Sequence, residues 1–108
     1  MPSTNVKLVV YVPLTHCDQV RQALAAAGAG RIGNYSGCSF SSRGSGRFQA
    51  EKGANPFIGS VGSLEVVEEE RIETICTRAQ LKQVICEMKK AHPYDEVAYD
   101  VYALEDLA

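Results

Sequence analysis

The sequence predicts an α+β sandwich in which two helices cover one face of an antiparallel sheet. Three observations carry this expectation. Val6 to Val12 is a β-branched run ended by Pro13. Leu81, Val84, Ile85 and Met88 fall at i, i+3, i+4 and i+7, one face of a helix. Strand-like segments flank both helical stripes, in the order strand, helix, strand hairpin, strand, helix, strand. That order is the split βαβ, or ferredoxin-like, arrangement, with an extra hairpin between the first helix and the third core strand.

Each element has a local reason. The first run, with Leu8 and Tyr11 inside it, reads as a central strand. Thr15 offers an N-cap with Asp18 three residues on, and Cys17, Val20, Leu24 and Ala27 follow at helical spacing before Gly28 stops the helix. Tyr35–Ser41 and Arg47–Glu51 flank Ser42-Arg-Gly-Ser-Gly46, which reads as a glycine-rich turn between two strands. Gly53 to Gly59 is a loop, and Leu64 to Cys76 resumes as a long strand with a bulge expected near Glu68–Glu70. Thr77 and Gln80 form a capping box for the second helix, Lys89 and Lys90 complement its dipole, and Pro93 ends it. Glu96 to Leu104 then alternates Val97, Tyr99, Val101 and Ala103 on one face.

Composition narrows the class. At 108 residues the chain is a single domain, 1–108, able to bury roughly 65% of the surface its unfolded form exposes. Apolar residues make up 45% and charged residues 22%, the balance of an ordinary globular domain. A net charge of −2 with no basic stripe argues against nucleic acid as a partner. No apolar run is long enough to span a membrane, and the first residues lack a basic flank with an apolar signal core, so a cytoplasmic location is expected. Cysteines 17, 38, 76 and 86 show neither Cys-x-x-Cys nor zinc-finger spacing and read as reduced thiols in or beside the core.

Few residues point to chemistry. His92 stands at a helix end beside Tyr94, Asp95 and Glu96, where a positive imidazole would suit the helix carbonyls. His92 and Glu96 are plausible metal ligands, but two from one segment fall short of a site, and His16 is the other histidine. Asp95, Glu96 and Asp100 read equally well as an acid–base group or a solvated strand edge. Glu68–Glu70 read as an exposed charged strand. No phosphate-loop or nucleophile motif is present, and no motif calls for a cofactor. Asn34, Tyr35, Ser36 and Ser39 supply polar groups at a helix-to-strand connection, where small-ligand sites often form. Val9, Tyr11, Ala98 and Tyr102 give the uncovered sheet face an apolar character, which favours subunit packing.

Several stretches occur in order along the chain: Gly33-Asn-Tyr-Ser-Gly-Cys-Ser-Phe40, Gly44-Ser-Gly-Arg-Phe48, Gly53-Ala-Asn-Pro-Phe-Ile-Gly59, Glu70-Arg-Ile-Glu73 and His92-Pro-Tyr-Asp-Glu-Val-Ala-Tyr-Asp-Val-Tyr102. Together they resemble the domain inserted into bacterial Nif-three-like (YqfO-type) proteins. The resemblance implies a CutA/PII-like, ferredoxin-like fold that tends to form trimers. In that family the last motif usually reads His-Pro-Tyr-Glu-Glu-Pro-Ala-Tyr-Asp; here Asp95 and Val97 replace a Glu and the Pro, and Ala50 stands where a proline is common. The family's two-metal site is built from flanking halves that this sequence does not contain, so no hydrolase activity is carried over.

The expectation is a non-enzymatic, self-associating module, dimer or trimer, with a regulatory role. It would bind a small molecule or another protein through Asn34, Tyr35, Ser36, His92, Tyr94 and Glu96 at a cleft near the helix ends. The alternatives are a divalent-metal-binding protein of CutA type using Cys38, His92 and Glu96, and a metal-dependent hydrolase remnant.

Overall fold

The computed structural model describes residues 2–107, and its elements follow the expected order except that one continuous strand stands where a hairpin of two was expected. β1 (Pro2–Pro13) passes through a 3-10 turn, Leu14–His16, into α1 (Cys17–Ala26). β2 (Phe40–Gln49), β3 (Leu64–Thr77), α2 (Leu81–Ala91) and β4 (Tyr99–Glu105) complete the chain. The four strands form one antiparallel sheet in the order β2-β3-β1-β4. This is the ferredoxin-like α+β sandwich the sequence predicts.

Strand alternation sets the two faces. Val6, Leu8, Val10 and Val12 of β1 pack with Ile72 and Cys76 of β3 against Val20 and Leu24 of α1 and Val84 and Met88 of α2. Eight of these are completely or almost completely removed from water, each worth roughly 1.5–3 kcal/mol of apolar burial. Period-two geometry puts Lys7, Val9 and Tyr11 on the opposite, helix-free face. The register sets Arg71 and Glu73 beside Tyr11 and Val9 on that face. Asp100 and Tyr102 of β4 join it opposite Val9 and Lys7. The open face is therefore mixed, with Phe40 and Tyr102 exposed among charges.

Caps and connections follow local chemistry. Thr77 Oγ1 accepts from the Gln80 N–H at 3.1 Å and donates to the Gln80 side chain, so the expected capping pair forms one turn ahead of α2. α1 begins without a side-chain cap; Thr15 instead bonds its neighbour His16. After α1 the chain turns at Gly30, whose N–H reaches the Ile75 carbonyl at 2.6 Å. Gly30 has φ +82°, and a Cβ there would lie 2.6 Å from the Cys38 backbone, so only glycine fits.

The middle of the chain departs from expectation in two places. The run Ser42–Gly46 is not a hairpin turn; it lies inside a continuous ten-residue β2, paired from Phe40↔Glu73 to Gln49↔Leu64. The bulge expected at Glu68–Glu70 is absent, because that register is unbroken. The long β2–β3 pair gives the molecule extents of 49 × 26 × 23 Å. No helix among the described residues is long and apolar enough to cross a membrane. All four cysteines are free; Cys17 and Cys76 are buried, whereas Cys86 lies outside the core on the exposed side of α2.

Candidate functional site

The site is built where α2 ends. His92 leaves the helix in extended conformation, with its N–H still held by the Met88 carbonyl at 3.1 Å. Its ring turns under β1 and is buried. Nε2 lies 2.7 Å from the Tyr11 carbonyl oxygen, which can only accept. Nδ1 accepts from the Tyr94 N–H at 3.2 Å. The two partners therefore dictate a neutral imidazole protonated at Nε2. Burial pushes its pKa below the ordinary histidine value, against the opposing pull of the Tyr11 carbonyl and Glu69. This corrects the expectation of a positive imidazole at a helix end: a proton on Nδ1 would confront the Tyr94 N–H.

Pro93 then directs Tyr94 back over β3. Its hydroxyl donates to Glu69 Oε2 at 2.9 Å, and burial together with that bond to a carboxylate raises the phenol well above the ordinary tyrosine range. Glu69 is buried, contrary to the expectation of an exposed acidic run. Glu70 is likewise engaged, by Arg21 of α1. Glu69 reaches Tyr94 by lying across Gly46 of β2, and any Cβ at Gly46 would collide with its carboxylate. Glycine inside a strand here marks a close approach, not a turn.

Aromatic contacts finish the wall. Tyr94 packs against His92 at 4.8 Å between ring centroids, Phe48 at 5.9 Å and Phe57 at 6.5 Å. Phe57 in turn meets His16 edge-on at 5.4 Å. Asp95 Oδ2 accepts from the Asn55 N–H at 2.9 Å, tying the Gly53–Gly59 loop to the segment after α2. Together these elements enclose a cleft of about 630 Å³ on the open face of the sheet. Its floor is Tyr11, Glu69 and Arg71; its sides are the Ser42–Glu51 stretch, Phe57 and the Tyr94–Glu96 segment.

The structure divides the residues singled out from sequence. Tyr94 and Glu96 line the cleft, and His92 sits directly behind Tyr94. Asn34, Tyr35 and Ser36 are exposed on a separate turn, closed by the Ile32–Tyr35 bridge. That turn hangs from Thr74 and Ile75 through Cys38 and Gly30, whereas His92 and Tyr94 are fixed at Tyr11 and Glu69. Along β3, Thr74 and Ile75 lie five and six residues from Glu69, on the order of 17–20 Å. Cys38 belongs to the first group, so one chain does not bring Cys38, His92 and Glu96 together. Among the described residues no three His, Cys, Asp or Glu side chains converge as metal ligands. The sequence reading missed Gly46, Phe48, Phe57, Glu69 and Arg71 as partners in one site. The alternation of Phe40, Ser42, Gly44, Gly46 and Phe48 was the signal for a single strand.

Comparison with known proteins adds a family context. No family model matches the chain. It is 61% identical over 98 residues to a GTP cyclohydrolase 1 type 2 homolog from Halalkalibacterium halodurans, covering 91% of this chain and 26% of that protein. A Bacillus subtilis protein of the same description is 57% identical over 99 residues, covering 92% and 26%. The chain thus spans about a quarter of the length of these curated relatives. Among solved structures, the Bacillus cereus protein related to NIF3 superposes with a TM-score of 0.83 at 51% identity, covering 98% of this chain and 27% of that one. The periplasmic divalent cation tolerance protein CutA from Archaeoglobus fulgidus superposes with a TM-score of 0.70 at 15% identity, covering 94% and 85%. The latter likeness is one of fold alone.

Proposed function

We propose that this chain, homologous over nearly its whole length to one segment of the NIF3-related proteins and folded like CutA, is a self-associating binding module with a regulatory role. It carries out no catalysis of its own, and it takes a small molecule in the cleft on the open sheet face. The observation that carries this reading is the cleft itself. Gly46, Phe48, Asn55, Phe57, Glu69 and the His92–Glu96 segment, distant in sequence, are spent on shaping one cavity of about 630 Å³. That volume falls within the ordinary range for small-molecule sites. Tyr94 and Glu96 are the proposed contacts and His92 their support.

Association is supported by the far end of the same face, where Phe40 is 65% and Tyr102 45% exposed. Unpartnered aromatic surface of this kind favours packing against another copy. Asn34, Tyr35 and Ser36 would reach a cleft only across such a contact.

Native mass spectrometry of the purified chain tests both parts. A dimer or trimer retaining a small organic mass is the expected result. A bare monomer at micromolar concentration would overturn the self-association, and a stoichiometric transition-metal mass would move the assignment to metal handling.

A further inference from the structure

We propose that the cleft recognises a planar molecule carrying one compact oxyanion, with Arg71 as the anion contact; this rests on the small-molecule reading above. Arg71 stands on the open face between Ser42 of β2 and Tyr11 of β1, on the cleft floor. Its guanidinium offers five N–H donors in a rigid fork. Nε is buried and has no hydrogen-bond partner among the described residues. Among the described residues Arg71 pairs with Glu73 Oε1 at 3.5 Å, at the outer limit of a hydrogen bond. Nε is closed to solvent, so an anion would meet the terminal nitrogens of a side chain that is 39% exposed and held there weakly by Glu73. A carboxylate or a phosphate can accept two N–H bonds at that edge.

The rest of the cleft defines what the anion is attached to. Phe48, Phe57 and Tyr94 present ring surface, the natural partner of a flat apolar body. Gly44, next to Ser42 on the same face of β2 and with open space at its Cβ position, carries no side chain that would shut the approach to Arg71. Neighbouring acids limit the charge. Glu69 is engaged by Tyr94 and Asp95 by the Asn55 backbone, while Glu51 and Glu96 also line the cavity. Arg43 and Arg47 line it too, but at the alternate positions of β2 that face away from Arg71, so a long polyanion meets acids beyond the one arginine.

Calorimetric titration of the full chain with three matched probes tests this: 1-naphthyl phosphate, 1-naphthylacetate and its neutral isostere 1-naphthylacetamide. At least one anion should bind with Kd below about 1 mM, and the amide at least tenfold more weakly. Whichever anion binds better identifies phosphate or carboxylate as the preferred group. Arg71→Met should reduce the anion to the level of the amide at unchanged native mass. Equal binding of amide and anions by the unmodified chain would overturn the anion assignment and leave the cleft reading standing; no variant is needed for that comparison. No binding of any probe up to about 10 mM would overturn both, and would return the cleft to a second copy of the chain.

Discussion

His92 and Tyr11, 81 positions apart, are joined side chain to backbone by a 2.7 Å bond from Nε2–H to the carbonyl oxygen. This bond docks the end of α2 onto β1, and it fixes the tautomer that lets Nδ1 receive the Tyr94 N–H. His92→Ala should therefore cost about 2–3 kcal/mol, because it empties a buried site and orphans a carbonyl. Urea unfolding at pH 7.5 measures it; a loss under about 0.5 kcal/mol would show that the bond is not structural.

The same arrangement gives a pH dependence with a defined sign. Unfolded, the imidazole takes up a proton near pH 6.5. Folded, it resists protonation to lower pH. Between the two values the unfolded state binds more protons, so stability rises with pH there. The His92 contribution is complete above about pH 6.5 and is lost as pH falls through the folded value. Unfolding curves from pH 7.5 to 5 should show this slope, and His92→Gln should flatten it.

Tyr94→Phe keeps the ring and removes the hydroxyl that caps Glu69. The expected cost is about 1.5–3 kcal/mol, as for a hydrogen bond to a charged group. The β-sheet circular dichroism should be unchanged. In the parent protein, ultraviolet titration should find one phenol ionising well above the ordinary tyrosine range and absent from the Phe variant.

Gly46→Ala tests whether the bare strand position serves Glu69. A methyl group collides with the Glu69 carboxylate, which must leave Tyr94 or push β2 outward. A loss of roughly 1–3 kcal/mol is expected, typical of overpacking. Gly44→Ala, with open space at its Cβ position, should cost no more than a few tenths. Equal effects at the two glycines would remove this account.

Thiol reactivity should follow burial. Cys17 and Cys76 are buried and their pKa values are raised, chiefly by desolvation, with Glu70 adding to the rise at Cys17. Cys86 is exposed. A disulfide reagent at pH 8 should modify Cys86 within minutes and leave Cys17 and Cys76 intact until denaturant is added.

Most of the fold was legible because period and caps speak locally. The Val84–Met88 stripe, the Thr77–Gln80 pair and the alternation of Tyr99, Val101 and Ala103 needed no tertiary information. β2 was misread because Gly44 and Gly46 carry the composition of a turn. The reason for Gly46 is a side chain from β3, and no local rule reaches that far. Glu69 was taken for a solvated acid for the same reason: its partner, Tyr94, is 25 residues away. The candidate site was half visible. The His92–Glu96 motif announced itself, but that α1 carries Asn34–Ser36 to the opposite anchor on β3 emerges only from packing.

The pairing of the first strand with the last has a mechanical consequence. Pro2 lies opposite Glu105, and the ladder then runs inward from Val6↔Ala103 to Val10↔Tyr99. Traction applied at the two ends would load these rungs one after another, as in a zipper, rather than all at once in shear. Tension should therefore peel β4 from β1 at low force while the β1–β3 ladder, Asn5↔Thr77 to Pro13↔Glu69, stays closed. The peel would stop near Tyr11, whose carbonyl His92 holds. The cleft therefore sits at the most force-protected end of the sheet.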